Sequence, residues 1–201
     1  MMYTELLLAS NNAHKHQEFL RLFPGVRILV PGDLGIDFVF EEDGETFLGN
    51  AFGKATALFA AAKRPVIADD SGLCVRALGG QPGVLSSRYG SVAGGALLDA
   101  PRRNAYLLDR MEGIQDRDAY FVCCLVCVME EDRFLAAQET VPGEIAESPR
   151  GDNGFGYDPL FFLPQRGKTM AELPDEEKDG ISHRGRAARR IIAVLKEQPW
   201  T

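Results

Sequence analysis

The chain of 201 residues, 45% apolar and 25% charged, has the size and composition of one globular core. A formal net charge of −7 argues against a nucleic-acid polymer as partner, since such binders usually carry a basic face, whereas a small phosphorylated ligand needs only a few local cations. The sequence holds no run of about eighteen uncharged apolar residues, and Met1-Met2-Tyr3-Thr4-Glu5 puts no basic segment ahead of Leu6-Leu7-Leu8, so a soluble, untargeted cytoplasmic protein without a membrane partner is expected.

Apolar runs alternate with helix-period segments, the pattern of an α/β fold. Leu6-Leu7-Leu8-Ala9 reads as a first strand, followed by Ser10-Asn11-Asn12 and a helical pattern from His14 to Phe23 that Pro24-Gly25 ends. A short strand near Val26–Val30 leads through Pro31-Gly32 to the acidic stretch Glu41-Glu42-Asp43-Gly44. Phe47, Ala51, Ala55, Leu58 and Ala62 recur at helical spacing, which predicts a helix from about Thr46 to Ala62, stopped by Pro65.

Val66-Ile67-Ala68 is a compact apolar strand expected to end directly in Asp69-Asp70-Ser71-Gly72. Ala77 to Gly95, rich in Gly and Ser, reads as an extended loop before a helix around Leu97 to Met111. Residues 119–129 and 133–141 read as an antiparallel hairpin, and a Gly-rich loop at Gly151–Pro159 precedes a closing helix from about Ser182 to Lys196. Of the four cysteines, Cys123, Cys124 and Cys127 crowd into the apolar run Tyr120–Met129. Strand alternation sends Cys124 and Cys127 to opposite faces, which favours packing over a zinc site, and free buried thiols fit a reducing compartment.

Five segments carry possible chemistry. Ser10-Asn11-Asn12-Ala13-His14-Lys15 is either a helix start whose free N–H groups hold an anion beside Lys15, or an ordinary Asn-capped helix. It is not a P-loop, because the glycines and the Lys-Ser/Thr pair are missing. Asp69-Asp70, at the mouth of an apolar strand, is either a magnesium site using hard carboxylate oxygens or an Asp-Asp-Ser-Gly turn. Glu41-Glu42-Asp43-Gly44-Glu45-Thr46 offers another ligand or a solvated acidic helix start, and Lys54 faces the same cleft or solvent. Gly154-Phe155-Gly156-Tyr157-Asp158-Pro159 lets a planar base lie on an aromatic ring, or is a plain turn. In Glu177–Gly185, Ser182 is a natural N-cap, while Lys178, His183 and Arg184 offer donors to phosphate or a purine carbonyl, or are structural. His14 and His16, two apart, do not share a helical face and are not a metal pair.

Taken in order, these segments resemble the inosine triphosphate pyrophosphatase family over nearly the whole chain. The likeness runs through Ser-Asn-Asn-x-x-Lys at 10–15, Glu-Glu-x-Gly-x-Thr-Phe-x-x-Asn-Ala-x-x-Lys-Ala at 41–55 and Ala-Asp-Asp-Ser-Gly-Leu at 68–73. It continues through Gly-Gly-x-Pro-Gly-Val-x-Ser-x-Arg-Tyr at 79–89, Gly-Phe-Gly-Tyr-Asp-Pro-x-Phe at 154–161 and Glu-Lys-x-x-Ile-Ser-His-Arg-Gly at 177–185. Gly49 departs from it, standing where family members often carry an acid.

The resemblance implies a single α/β domain with an elongated mixed central sheet flanked by helices, two lobes with a deep cleft, a homodimer, and Mg²⁺ dependence. It implies hydrolysis of purine nucleoside triphosphates with deaminated bases, such as those of inosine and xanthosine, to monophosphate and pyrophosphate. Carried over residue by residue, Ser10, Asn11, Asn12, Ala13, His14 and Lys15 would wrap the triphosphate, and Glu41 and Asp70 would hold the metal, with Asp70 also activating water. Ser71 would touch the substrate, Phe155, Gly156, Tyr157 and Asp158 would border base and sugar, and Lys178, His183 and Arg184 would contact base and phosphate. Lys54 and Asp69 would support them. The alternatives are a related pyrophosphatase with another base preference and a nucleotide-binding sensor without turnover.

Overall fold

The computed structural model describes residues 4–92 and 95–197. Met1–Tyr3, ahead of the first strand, and Ala93 and Gly94 of the expected loop from Ala77 to Gly95, lie outside the described residues. In chain order the elements are β1 (Glu5–Leu8), α1 (Ala13–Leu22), β2 (Arg27–Leu29), α2 (Phe47–Ala62), β3 (Val66–Val75), α3 (Ala100–Arg110), β4 (Asp118–Glu130), β5 (Arg133–Ile145), β6 (Phe161–Leu163), β7 (Lys168–Thr169), α4 (Asp175–Ile181) and α5 (His183–Glu197). The strands hydrogen-bond in the order β2-β1-β3-β4-β5-β6-β7. β1 runs parallel to β2 and β3, whereas β6 is antiparallel to β5 and β7, so the sheet is mixed and the fold is α/β as expected. No described helix is long and apolar enough to cross a membrane.

Side-chain chemistry sets the element ends. Asn12 caps α1 by accepting from the N–H groups of His14 and Lys15, Thr46 caps α2 by accepting from Gly49, and Asp99 caps α3 by accepting from Arg102. Ser182 accepts from the Gly185 N–H at 3.1 Å and so starts α5. The chain folds into two compact units, one built from the N-terminal segment through Asp70 with Cys123–Glu139 and the C-terminal segment from Ser182, the other from Ser71–Val122 and Thr140–Ile181.

In the first unit the parallel strands are covered on both faces, which is why they read as unbroken apolar runs. Leu6, Leu8, Ile67, Cys123, Leu125 and Cys127 pack with Phe19 of α1, Phe23 just after it, and Ala187, Ala188, Ile191 and Leu195 of α5. Leu7, Val66, Ala68, Cys124 and Val126 turn to the opposite face and pack with Ala51, Ala55 and Leu58 of α2. Cys124 and Cys127 thus lie in different cores, and all four cysteines are free thiols. Burial pushes the Cys124 thiol up to about 11 and that of Cys127 to about 12, so neither is a thiolate near neutrality. In the second unit Leu73, Val75, Leu107, Met111, Phe121, Tyr157, Leu160, Phe161, Met170 and Leu173 form the core.

One expectation needs correction. β3 does not stop before Asp69 but runs to Val75, because Leu73 and Val75 are fully buried in the second core and each aspartate finds partners on its own face. Asp69-Asp70-Ser71-Gly72 is therefore strand, not turn. The segment ahead of α5 holds a further short helix, α4, whose sequence Asp-Glu-Glu-Lys-Asp-Gly-Ile is too polar and brief to show an apolar period.

Candidate functional site

β3 presents Asp69 and Asp70 to opposite faces, since successive strand side chains alternate. Asp69 shares its face with Ile67, under α1 and α5. Its Oδ2 accepts from Arg184 Nη2 at 2.8 Å and Nε at 3.2 Å, and Oδ1 lies 3.0 Å from Lys15 Nζ, an ion pair not aligned as a hydrogen bond. Arg184 Nη1 also donates to Glu18 Oε2 at 2.6 Å. Lys15, Arg184, Asp69 and Glu18 form a charge-balanced set in which all but Lys15 are nearly completely buried. Burial alone would raise the Asp69 pKa, but Arg184, Lys15 and Lys54 outweigh it and hold the carboxyl far below the usual carboxylate range.

Asp70, 5% exposed, meets the opposite environment. Its Oδ2 accepts from Asn50 Nδ2 at 2.9 Å, a neutral donor. Burial, and secondarily the charge of Glu42, raise its pKa against the lowering effect of Asn50, Lys54 and Lys15. Lys54, itself buried, pairs with Glu42. Two carboxylates thus bear on one another in a desolvated place, a donor set of hard oxygens that fits a magnesium-type cation completed by phosphate and water. Among the described residues no cluster of three or more acidic, imidazole or thiol groups supplies a complete metal cage.

The start of α1 is ordered by its own side chains. Ser10 Oγ accepts from the Asn12 N–H at 3.1 Å, and Asn12 Oδ1 accepts from the N–H groups of His14 at 2.9 Å and Lys15 at 3.2 Å. Asn11 Nδ2 donates to the Phe38 carbonyl at 2.8 Å, tying the segment down while residues 11–14 stay exposed. A helix N-terminus with a lysine in its first turn attracts phosphate through oriented amides and charge together.

In the second unit, Asp158 Oδ2 accepts from Lys178 Nζ at 2.6 Å and from the Phe155 N–H at 2.8 Å. The Lys178 ammonium also sits 5.1 Å from the centre of the half-buried Phe155 ring. Tyr157 OH donates to the Ser86 carbonyl at 2.9 Å, Arg103 stacks 5.5 Å over the Tyr157 ring, and Asn104 Nδ2 donates to the Gly156 carbonyl at 3.1 Å. The result is an aromatic ring with an ammonium over one face, in a loop held by Asp158, Tyr157 and Asn104.

Residues 6–194 match the Ham1 family. The chain belongs to that family. A dITP/XTP pyrophosphatase of Treponema denticola is 48% identical over 192 residues, covering 96% of this chain and 98% of that protein, and one of Ralstonia nicotianae is 45% identical, covering 95% and 96%. Among solved structures, a HAM1 protein from Coxiella burnetii superposes with a TM-score of 0.86 at 37% identity, covering 98% of this chain and all of the other. The Staphylococcus aureus Ham1 protein superposes with a TM-score of 0.84 at 39% identity.

Within this Ham1 chain the first unit brings together Lys15, Asp69 and Arg184 on one face and Asp70, Glu42 and Lys54 on the other. The second brings together Phe155, Asp158 and Lys178. Glu41 is exposed, and of the two glutamates it is Glu42 whose charge bears on Asp70. Ser71 is half-buried in β3, and His183 is buried in the first turn of α5. Gly49 is exposed in the first turn of α2 and gives its N–H to Thr46. Glu18 and Asn50 escaped sequence reading, although each is a polar residue on the apolar stripe of its helix, which is the signal that marks a buried partner.

Proposed function

We propose that the chain hydrolyses deaminated purine nucleoside triphosphates, those of inosine, deoxyinosine and xanthosine, to the monophosphate and pyrophosphate, clearing them from the nucleotide pool. The observation that carries this is the division of labour on β3. Asp69 is paired with Arg184 and Lys15, the latter in the first turn of α1, while Asp70 accepts from the neutral amide of Asn50, which supports an anion beside Lys15 and a cation beside Asp70. The dITP/XTP pyrophosphatase names of relatives 45–48% identical over nearly the whole chain support the same substrate class.

In this reading Ser10, Asn11, Asn12, Ala13, His14 and Lys15 bind the triphosphate, and Asp70 with the Glu41-Glu42 segment provides oxygen ligands for Mg²⁺. When bound, that cation supplies neutralisation of phosphate charge and a more acidic water. Asp70 orients the attacking water toward the α-phosphorus, the water's proton passing to the carboxylate as the new P–O bond forms and pyrophosphate leaves. Ser71, Tyr157 and Asp158 border the sugar and base, and the base lies on Phe155. There the Lys178 ammonium donates to a 6-oxo group, which adenine's amino group does not accept. His183 and Arg184 complete the substrate-side set, Arg184 acting through Asp69. A homodimer and a cytoplasmic setting belong to the same proposal.

Turnover of inosine triphosphate in ¹⁸O-water with Mg²⁺ is the test. Label in the monophosphate, with unlabelled pyrophosphate, is the expected outcome. Release of diphosphate nucleoside and orthophosphate, or intact triphosphate after prolonged incubation, refutes the proposal.

A further inference from the structure

Asn50 lies in the second turn of α2, 2% exposed, next to Ala51. An amide so buried needs partners on both ends. Its Oδ1 accepts the Gly44 N–H at 2.9 Å, and its Nδ2 donates to Asp70 Oδ2 at 2.9 Å. The orientation of the amide is forced, because a backbone N–H can only donate and a carboxylate can only accept, so a flipped amide would oppose like groups at both ends.

Gly44 contributes the room. A Cβ there would stand 2.5 Å from Asn50 Oδ1, and the Gly44 backbone is outside the left-handed region, so the requirement is for space rather than conformation. The acidic segment at 41–45 and the strand that carries Asp70 are therefore linked through one side chain.

We propose that Asn50 is a positioning residue that fixes the Asp70 carboxylate in one orientation and at a set distance from the acidic segment. The choice of a neutral donor matters. A lysine or arginine in its place would cancel the charge of Asp70 as Arg184 cancels that of Asp69, whereas an amide orients the carboxylate and leaves its charge for a cation. This inference rests on the assignment of a cation to Asp70 above.

Two variants reach the link from its two ends. Asn50→Asp keeps the acceptor toward Gly44 and loses the donor toward Asp70, while Gly44→Ala crowds the amide without touching Asp70. Mn²⁺ binding to metal-free protein, read by electron paramagnetic resonance, is expected to weaken about ten- to hundred-fold in both. At saturating Mg²⁺, kcat should fall with KM for inosine triphosphate little changed, a split that loose packing alone does not give. Folded Gly44→Ala protein with wild-type Mn²⁺ affinity and kcat overturns the inference, whatever Asn50→Asp does. Asp70→Asn tests the underlying assignment separately. If it binds Mn²⁺ as wild type does, the cation assignment falls, and unchanged kcat in both link variants then also overturns the positioning role, whereas reduced kcat sustains it.

Discussion

Asp69 and Asp70 are neighbours on one strand whose carboxylates face opposite sides of the sheet and meet opposite partners, two cations for the first and a neutral amide for the second. Their pKa values are driven apart, Asp70 up because burial and the charge of Glu42 outweigh Asn50, Lys54 and Lys15, and Asp69 down because its burial is outweighed by Arg184, Lys15 and Lys54. Such divergence between adjacent acids separates a structural charge from a chemical one.

Stability against pH follows from those directions. Asp69 has a lowered folded pKa, so its contribution is complete above the unfolded carboxyl value of about 4 and is lost as pH falls below it. Asp70 has a raised folded pKa, so its ionisation costs stability at neutral pH, and that cost disappears as pH falls through its folded value. In metal-free protein at pH 7, Asp69→Asn should melt below wild type, with the gap closing in acid, and Asp70→Asn should melt at or above wild type while losing turnover. Equal destabilisation by both substitutions would show that the two sites are not opposed.

Arg184 holds both Asp69 and Glu18, and each is buried. Arg184→Met takes the guanidinium from two buried carboxylates, leaving Lys15 beside Asp69, and breaking a buried pair in this way costs about 3–5 kcal/mol. For a chain of this size that lowers the melting temperature by roughly 6–20 °C. Glu18→Gln keeps an acceptor toward Nη1 and should cost clearly less. A calorimetric scan of both variants checks the order, and a smaller loss for Arg184→Met than for Glu18→Gln contradicts it.

Local features were readable from the chain alone. The Asn12 cap and the lysine in the first turn of α1 are set by residues next to one another, and the helical period of α2 needs only its own alanines and leucines. What escaped depends on distant partners. Nothing near Asp69-Asp70 announces a continuing strand, because the groups that allow two acids inside it are Asn50, 20 positions away, and Arg184, 115 positions away. Family resemblance implies Glu41 as a ligand, whereas the pairing of Glu42 with Lys54 and the bearing of its charge on Asp70 depend on the fold and are not legible in the run of acids.

Lys15 can be removed without stranding Asp69, which keeps both contacts to Arg184. Lys15→Met should therefore melt close to wild type while losing a charge-assisted contact to phosphate, worth about 1.5–3 kcal/mol. That converts to a KM for inosine triphosphate raised roughly 10- to 150-fold. Steady-state kinetics beside a melting curve distinguishes this from unfolding. An unchanged KM would remove Lys15 from the phosphate site.

The aromatic loop makes the base-selection argument testable. Gly154 has φ +71°, and a Cβ there would meet the Asp158 carboxylate and come within 2.8 Å of Lys178 Nζ, so Gly154→Ala must displace the ion pair that sets the ammonium over the Phe155 ring. Phe155→Ala removes the stacking face, worth about 1–3 kcal/mol per base, and should raise KM for 6-oxo and 6-amino purine triphosphates alike. Lys178→Met removes the donor but keeps the ring. It should lower kcat/KM for inosine triphosphate and leave the low value expected for adenosine triphosphate nearly unchanged, so the ratio between them shrinks by roughly ten-fold or more. Competition assays with the two nucleotides give that ratio directly. If Lys178→Met preserves it and Phe155→Ala alone collapses it, selection lies in the ring and not in the ammonium.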